Sequence, residues 1–196
     1  MNISADEKPL RKKTRVLALT NAQVRDIYTH SGKNHRLMYS VFLNTGLRLN
    51  EFLSLMIDDI DFTNDIIYVN QEDSATKAHK RFIPLNREAT HALKLLIHTA
   101  SDSGKICDMS EDGLKVYAHR LSLRLPFKFS IHSLRHTFIT RFYANCKDAY
   151  ATARVAGHRN IQTTMTYVHV SDPIIRQAAM AIDYTVSQVY RNKIRS

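Results

Sequence analysis

The stretch IHSLRHTFIT, residues 131–140, does most to decide the fold of this chain. We predict a helix here, over residues 133–145, and on a helix His132 and Arg135 share one face because they stand three positions apart. A cation and a titratable ring on one helix face can serve a binding or catalytic site. Taken alone, such a pair is more often a surface feature or a satisfied core feature.

The spacing of His132 and His136 also invites comparison with the zinc-binding pattern HExxH. That pattern requires a glutamate directly after the first histidine, and this chain has Ser133 there. Cys107 and Cys146 lie far apart, and neither belongs to a CxxC pair. The sequence therefore predicts no metal site, and its two cysteines suit thiols in a reducing cytoplasm.

Two further segments contribute charged side chains. In TGLRLNEFLSL, residues 45–55, Arg48 and Glu51 are three apart on a predicted helix, which by itself indicates a local ion pair. In TKAHKR, Lys77 and Lys80 fall on a predicted hairpin tip, where a lysine is usually only solvated. Neither segment defines a site by itself.

The segment VAGHRNIQTTMTYVHV, residues 155–170, carries a histidine and a tyrosine in a fixed relation. His158 follows Gly157, which is a typical residue to end the preceding helix. Tyr167 comes nine residues after His158 and is one of nine tyrosines in the chain. Alone, it is more often a packing aromatic than a nucleophile.

Apolar periodicity predicts a mainly helical α+β fold with a small antiparallel β-sheet. The first helix begins after Thr20, which forms a capping-box pattern with Gln23. The β-rich runs at 66–70 and 81–85 are predicted to pair as antiparallel strands. The other predicted helices are one that ends near Thr45-Gly46, those at 48–56, 87–99, 111–124, 133–145 and 148–156, and a short one that carries Tyr167.

Composition indicates a polyanionic partner. The chain of 196 residues, the size of one domain, has 28 Lys and Arg against 18 Asp and Glu, a formal net charge of +10. Nucleic acid is the usual polyanion, because neutralising its phosphates releases counterions. No apolar run reaches the eighteen residues that suggest a membrane span, and the N-terminus lacks the apolar region of a secretory signal. We therefore predict a cytoplasmic protein without a membrane partner.

The two ends of the chain are predicted to be separate segments. Residues 1–15 form a flexible arm that lies along a phosphate backbone or is simply a disordered terminus. Residues 173–196 form a last helix, after the start signal Asp172-Pro173, with an apolar stripe that packs on its own domain or docks on a neighbouring subunit. The basic residues of the arm are Lys8, Arg11, Lys12, Lys13 and Arg15.

The four segments, taken together and in this order, resemble the catalytic domain of the tyrosine recombinase (phage-type integrase) family. The resemblance rests on TGLRLNEFLSL followed by DIDF, on Lys77 before RFIPL, on HSLRH, and on GHRNIQTTMTY. It covers about residues 16–170, and it implies a catalytic domain over residues 16–172. Agreement of all four segments in family order is far more specific than any one of them.

The resemblance implies a function and a role for each residue. Tyr167 would attack the scissile phosphorus and form a 3′-phosphotyrosyl bond. Arg48 and Arg135 would stabilise the charged transition state, and His158 would add a further hydrogen bond to the phosphate. The remaining roles are proton transfer by Lys77 and His132, orientation of Arg48 by Glu51, and DNA contacts by Lys80, Arg81, Arg159 and the arm.

The resemblance also implies partners and leaves alternatives open. It implies double-stranded DNA, a homo-oligomer that is a tetramer on paired sites, and no cofactor, while a need for accessory DNA-bending proteins stays open. Lys80 rivals Lys77 as the catalytic lysine, and Val155-Ala156 is a smaller pair than the family usually has before its GH dipeptide. Other functions with the same residues are a type IB topoisomerase-like nicking-closing enzyme and an inactive DNA-binding regulator.

The number of residues before the first helix also departs from most family members. Only about 20 residues precede it, so we expect the N-terminal clamp domain to be absent. In length the chain resembles the stand-alone fimbrial-switch recombinases. The alternative is that the sequence is a fragment or a truncated product.

Overall fold

The computed structural model describes residues 18–71, 79–100, 103–158 and 160–165, with the backbone alone at 70–71 and 79–80. Its helices and strands follow the predicted order. In chain order they are α1 (Asn21–His30), α2 (Lys33–Thr45), α3 (Leu49–Leu53), a 3₁₀ turn (Ile57–Asp59), β1 (Ile60–Asp61), β2 (Ile66–Gln71), β3 (His79–Pro84), α4 (Arg87–His98), α5 (Glu111–Ser122), α6 (Ile131–Cys146), α7 (Ala149–Ala156) and α8 (Ile161–Met165).

Local sequence signals set several of these boundaries. The capping box at Thr20 is confirmed, because its hydroxyl accepts from Gln23 N at 3.2 Å and the Gln23 side chain accepts from Thr20 N at 2.9 Å. Ser130 caps α6 in the same way, and its hydroxyl accepts from Ser133 N at 3.3 Å. The helix that contains HSLRH therefore starts at Ile131, two residues before the predicted start.

The third helix is shorter than the predicted 48–56. Residues after Leu53 leave the helix because they pair with a distant loop: Ile106 N donates to Leu55 O at 3.1 Å, and Ile57 N donates to Gly104 O at 2.9 Å. Met56 and Lys105 form an antiparallel bridge between these two bonds. Such non-local pairing leaves no periodicity in the sequence, so the prediction of a longer helix was wrong.

The sheet has three strands in the order β1-β2-β3, both pairs antiparallel. The predicted strands at 66–70 and 81–85 are thus confirmed, while β1 was missed. A turn between β1 and β2 is fixed by Asp61, whose carboxylate accepts from Thr63 N at 2.9 Å and Asn64 N at 3.0 Å. One face of the sheet buries Ile67 and Ile83, which are register partners.

Helix α2 lies at the centre of the core, in contact with both α4 and α6. Its side chains Tyr39, Val41 and Phe42 are completely buried. The helix ends at Gly46, which has a left-handed φ of 64°. A Cβ atom at this position would lie 2.2 Å from Cδ1 of Phe138 on α6, so the two helices approach closely there.

In the part of the chain that the structure describes, no helix has both the length and the apolar character that crossing a membrane requires.

Candidate functional site

A cleft of about 660 Å³ opens where α3, α5, α6 and the junction of α7 and α8 meet. Arg48 stands at the start of α3, and Arg135 projects from the second turn of α6. His158 follows the end of α7. The side chains that line the cleft are Leu47, Arg48, Leu49, Glu111, Lys115, Ala118, His119, Phe129, Ser130, Ile131, His132, Arg135, His158 and Thr163.

The C-terminus of α7 is the structural centre of this site. Gly157 adopts a φ of 66°, as predicted for a helix-ending glycine, and allows the chain to fold back. His158 N then donates to Ala153 O at 2.9 Å, and Gly157 N donates to Arg154 O at 3.2 Å. This backbone pattern satisfies two of the carbonyls that a helix leaves without partners at its end.

The next three carbonyls along the chain each accept from a different arginine. Val155 O accepts from Nε of Arg81 at 3.1 Å, and Ala156 O accepts from Nη2 of Arg135 at 2.6 Å. Gly157 O accepts from Nη2 of Arg48. We call Arg48, Arg81 and Arg135 the arginine set. Arginine cations are favoured at a helix C-terminus, because the aligned peptide dipoles give that end partial negative charge.

Arg135 connects two helix ends. Its residue is only 7% exposed, and besides Ala156 O it donates through Nη1 to Gly46 O, at the end of α2. The orientation of the guanidinium is thus fixed by two acceptors, Gly46 O and Ala156 O, that lie 110 residues apart in sequence. A cation with so little freedom loses little entropy when it binds a further oxygen from the cleft.

Glu51 joins the other two members of the arginine set. Its Oε1 accepts from Nη1 of Arg48 at 2.7 Å and from Nη1 of Arg81 at 2.8 Å. Its Oε2 accepts from Nη2 of Arg81 at 2.8 Å and from the backbone N of Arg48 at 2.6 Å. Glu51 and Arg81 therefore form a two-bond ion pair, while Arg48 shares the same carboxylate from the other side.

The environment of Glu51 keeps it ionised. Burial opposes ionisation, but the hydrogen bonds and charge of Arg81 and the hydrogen bonds of Arg48 outweigh it and lower the pKa of Glu51 to about 2. The carboxylate is therefore a fixed negative charge between two guanidinium groups at any physiological pH.

His158 is half-buried beside the arginine set. Burial lowers the pKa of its imidazole, and the charges of Arg135, Arg48 and Arg81 lower it further, to about 4. Its Nδ1 lies 2.8 Å from the hydroxyl of Thr164, a buried residue of α8, and the tautomer of the ring decides which of the two donates. The ring is therefore neutral near pH 7 and fixed in orientation by α8.

The predicted site residues divide into three groups. Arg48, His132, Arg135 and His158 line one cleft, although 110 residues separate the first from the last, and Glu51 contacts Arg48 from behind. Lys80 belongs to β3, where the structure describes only its backbone. Outside the described residues lie Lys77, Arg159, Tyr167, the segment 173–196 and the arm with Lys8, Arg11, Lys12, Lys13 and Arg15.

One predicted role needs correction. Arg81 was assigned to the DNA-contacting surface, but its side chain is only 10% exposed and donates to Glu51 and Val155 O. A signal for this role was present in the sequence. Arg81 and Ile83 stand two positions apart on β3 and so lie on the same face of the sheet. An arginine on a buried sheet face requires a partner.

Sequence reasoning also missed Thr164 and the carbonyls of α7. The bond from Thr164 to His158 depends on how α8 folds back on α7, which no local pattern reveals. The acceptor role of Val155, Ala156 and Gly157 belongs to the main chain, so their side chains give no hint of it.

Known structures define the class of this fold. The catalytic domain of bacteriophage HP1 integrase superposes with a TM-score of 0.64 at 20% identity, over 86% of this chain and 96% of that one. A Tn1549 transposon integrase in complex with circular intermediate DNA gives a TM-score of 0.71 at 22% identity, over 88% of this chain and 69% of that one. The fold is that of an integrase catalytic domain.

Sequence comparison assigns the family. The chain belongs to the phage integrase family, whose profile matches residues 18–173. Its relatives include the tyrosine recombinase XerA of Saccharolobus solfataricus, 28% identical over 83% of this chain and 55% of that protein. The tyrosine recombinase XerC of Bacillus subtilis is 27% identical over 81% of this chain and 57% of that protein. The chain thus spans just over half the length of these relatives.

Proposed function

We propose that this protein is a site-specific DNA recombinase that cleaves and rejoins DNA through a 3′-phosphotyrosyl intermediate. The observation that carries the proposal is the convergence of Arg48, Arg135 and His158 on one cleft. Two guanidinium groups and one imidazole, held by main-chain carbonyls and by Thr164, form a preorganised cradle for a phosphodiester. We call these three side chains the phosphate cradle.

The charges of the cradle suit a phosphoryl transfer. Arg48 and Arg135 stay charged at any working pH, and a guanidinium presents its N–H donors in a fixed fork that matches the oxygens of a phosphate. His158 contributes a neutral ring. When the Thr164 hydroxyl donates to Nδ1, the ring proton sits on Nε2 and can be donated to a phosphate oxygen. Fixed donors of this kind stabilise the charge that develops in the transition state.

Tyr167 is the proposed nucleophile. Its phenolic oxygen forms a bond to phosphorus, and the bond from phosphorus to the 5′-oxygen breaks. The phenolic proton leaves with the help of His132, while Lys77 gives a proton to the departing 5′-oxygen. In support, α8 brings the chain to the cleft just before this residue, since Thr163 lines the cleft and Thr164 contacts His158.

The proposed partners follow from the same chemistry. Double-stranded DNA supplies the phosphodiester, and exchange between two sites needs four active subunits, hence a homotetramer on paired sites. Lys80, Arg159 and the basic arm of residues 1–15 contribute further phosphate contacts. The phosphotyrosyl bond conserves the energy of the broken bond, so rejoining requires no ATP or other cofactor. We place the protein in the cytoplasm, on bacterial, phage or plasmid DNA.

A covalent-capture experiment tests this function. The substrate is a pool of duplexes with randomised sequence, each nicked so that cleavage releases a short fragment and rejoining fails. We expect the wild-type protein to form a denaturant-resistant DNA adduct, and Tyr167→Phe to bind DNA but form none. The matched control is Tyr150→Phe, since Tyr150 is an exposed tyrosine of α7 and should leave adduct formation unchanged.

The outcomes separate the candidate functions. An adduct that persists in Tyr167→Phe contradicts the nucleophile assignment, and DNA binding without any adduct indicates an inactive regulator. Sequences recovered from the adducts then provide the target for a two-site assay. Strand exchange between two such sites indicates recombination, whereas relaxation of a supercoiled circle with one site, by a monomer, indicates nicking and closing alone.

A further inference from the structure

Arg81 stands behind the phosphate cradle, in contact with groups that belong to it. Its side chain is 10% exposed, and that of its partner Glu51 is 12% exposed. By contrast, the side chain of Arg48 is 41% exposed and reaches into the cleft. The buried pair thus provides a fixed base for a cation that is otherwise open to solvent.

We propose that Arg81 is a positioning residue: through Glu51 it fixes the guanidinium of Arg48, and through Val155 O it fixes the helix end that precedes His158. This inference rests on the proposed function, because the positioned groups are those of the phosphate cradle. It assigns to strand β3 a part in setting the geometry of the site.

The first argument is geometric. Arg81 holds Glu51 with two nearly equal bonds of 2.8 Å, one to each carboxylate oxygen, which fixes the plane of the carboxylate. Arg48 Nη1 then donates to Oε1 of the same carboxylate at 2.7 Å. Without the two-bond pair, the bonds that remain to Glu51 come from the backbone N and Nη1 of Arg48 itself, so the carboxylate no longer ties Arg48 to β3.

The second argument concerns charge. Glu51 is shared by two guanidinium groups, so the three side chains together keep one net positive charge for a phosphate. If Arg81 were neutral, Glu51 and Arg48 would cancel each other. Arg81 therefore preserves the attraction of Arg48 for an anion while Glu51 holds it in place.

The third argument concerns the connection of elements. Arg81 donates through Nε to Val155 O at 3.1 Å, which ties β3 to the end of α7. Three residues later the chain reaches His158. One planar guanidinium therefore contacts both α3, which orients Arg48, and α7, which leads to His158, and a lysine cannot supply these three bonds in one plane.

The test compares Arg81→Lys, which keeps the charge but loses the planar fork, with the control Arg87→Lys. Arg87 is an exposed arginine at the start of α4 and is not part of the site. A further variant, Arg81→Met, removes the charge as well. It is expected to yield less folded protein, because Glu51 then stays buried with fewer donors.

The first measurement needs no target DNA. Inorganic phosphate is titrated into each folded variant while the ring signals of His158 are followed by NMR. We expect Arg81→Lys to bind phosphate about tenfold more weakly than wild type, and Arg87→Lys to match wild type. A role confined to stability would leave the phosphate affinity of the folded protein unchanged, and that result would overturn the proposal.

The second measurement uses the nicked duplex pool under single-turnover conditions. We expect Arg81→Lys to form the covalent adduct about 100-fold more slowly than wild type, with little change in DNA affinity, since a small misplacement of a catalytic group has effects of this size. In an Arg48→Ala background the same substitution should cause a smaller loss than in wild type, because the route through Glu51 to Arg48 is already gone and only the bond to Val155 O remains to be lost.

The two measurements distinguish the possible failures. If wild type forms no adduct but the phosphate titration gives the expected difference, the proposed function fails and the positioning role stands. If wild type forms the adduct and Arg81→Lys forms it equally fast, the positioning role is wrong. Full additivity of the Arg81 and Arg48 substitutions would also overturn it, because the two residues would then act independently.

Discussion

Helices α2 and α7 end in the same way and are held in different ways. Both end at a left-handed glycine, Gly46 with φ 64° and Gly157 with φ 66°. The end of α2 is fixed by packing, because Phe138 fills the space where a side chain at Gly46 would stand. The end of α7 is fixed by cations, because Arg48, Arg81 and Arg135 bind its last carbonyls.

The two helix ends therefore have different roles: the end of α2 supports the site, and the end of α7 forms part of it. The end of α2 holds Arg135 through Gly46 O, whereas the carbonyls at the end of α7 accept from all three members of the arginine set beside the cleft. Arg135 donates to both helix ends. Its bond to Gly46 O ties the guanidinium to the packed end of α2, and its bond to Ala156 O holds it beside the cleft at the end of α7. Substitutions at the two glycines should therefore differ in size and in kind.

The largest effect is expected for Gly46→Ala. The left-handed φ and the clash with Phe138 together should lower the free energy of unfolding by about 3–4 kcal/mol, measured by urea denaturation. Phe138→Ala should destabilise the Gly46→Ala variant less than it destabilises wild type, because it also removes the atoms that the new methyl group meets. If the double variant loses as much free energy of unfolding as the two single variants together, packing against Phe138 does not fix the end of α2.

A smaller effect is expected for Gly157→Ala. Its left-handed φ of 66° should lower the free energy of unfolding by about 1–2 kcal/mol. Covalent adduct formation should fall more than this loss of stability explains, since the substitution disturbs Gly157 O and the position of His158. If Gly157→Ala proved as destabilising as Gly46→Ala, the contrast between a packed and a cationic end would be wrong.

The smallest effect is expected in the pH dependence of stability. The pKa of His158 is about 4 in the folded protein, below the ordinary 6.5, so the unfolded chain binds more protons between these values. The wild type should therefore lose stability as the pH falls from 6.5 to 4. The loss assignable to His158 should be about 1 kcal/mol, after allowance for solvent screening at a half-buried group.

The difference between wild type and His158→Gln isolates this contribution. The variant should show a flatter profile over the same range, while His98→Gln, which changes an exposed histidine of α4, should follow wild type. Identical profiles for wild type and His158→Gln would mean that burial and the arginine set together do not lower the pKa of the imidazole.

Sequence patterns predicted the helical fold, the antiparallel strands and the convergence of Arg48, Arg135 and His158. These predictions succeeded because the signals behind them, which are capping boxes, apolar periodicity and the order of the motifs, lie in neighbouring residues or in side chains. The end of α3 and strand β1 were misjudged because they depend on pairing with residues distant in sequence. Arg81 was predicted to contact DNA; the alternation of β3 could have indicated its burial, but its partner Glu51 is 30 residues away and only the fold brings them together.

The acceptors at the end of α7 have a further consequence for how this sequence can change. The acceptors on Val155 and Ala156 are main-chain carbonyls, and a carbonyl is the same whichever amino acid carries it. Mutation at these two codons alters what fills the neighbouring space but cannot delete the oxygen that accepts from Arg81 or Arg135. The acceptors of these arginines are thus set by the conformation of the backbone, and the side chains at residues 155 and 156 can change without removing them.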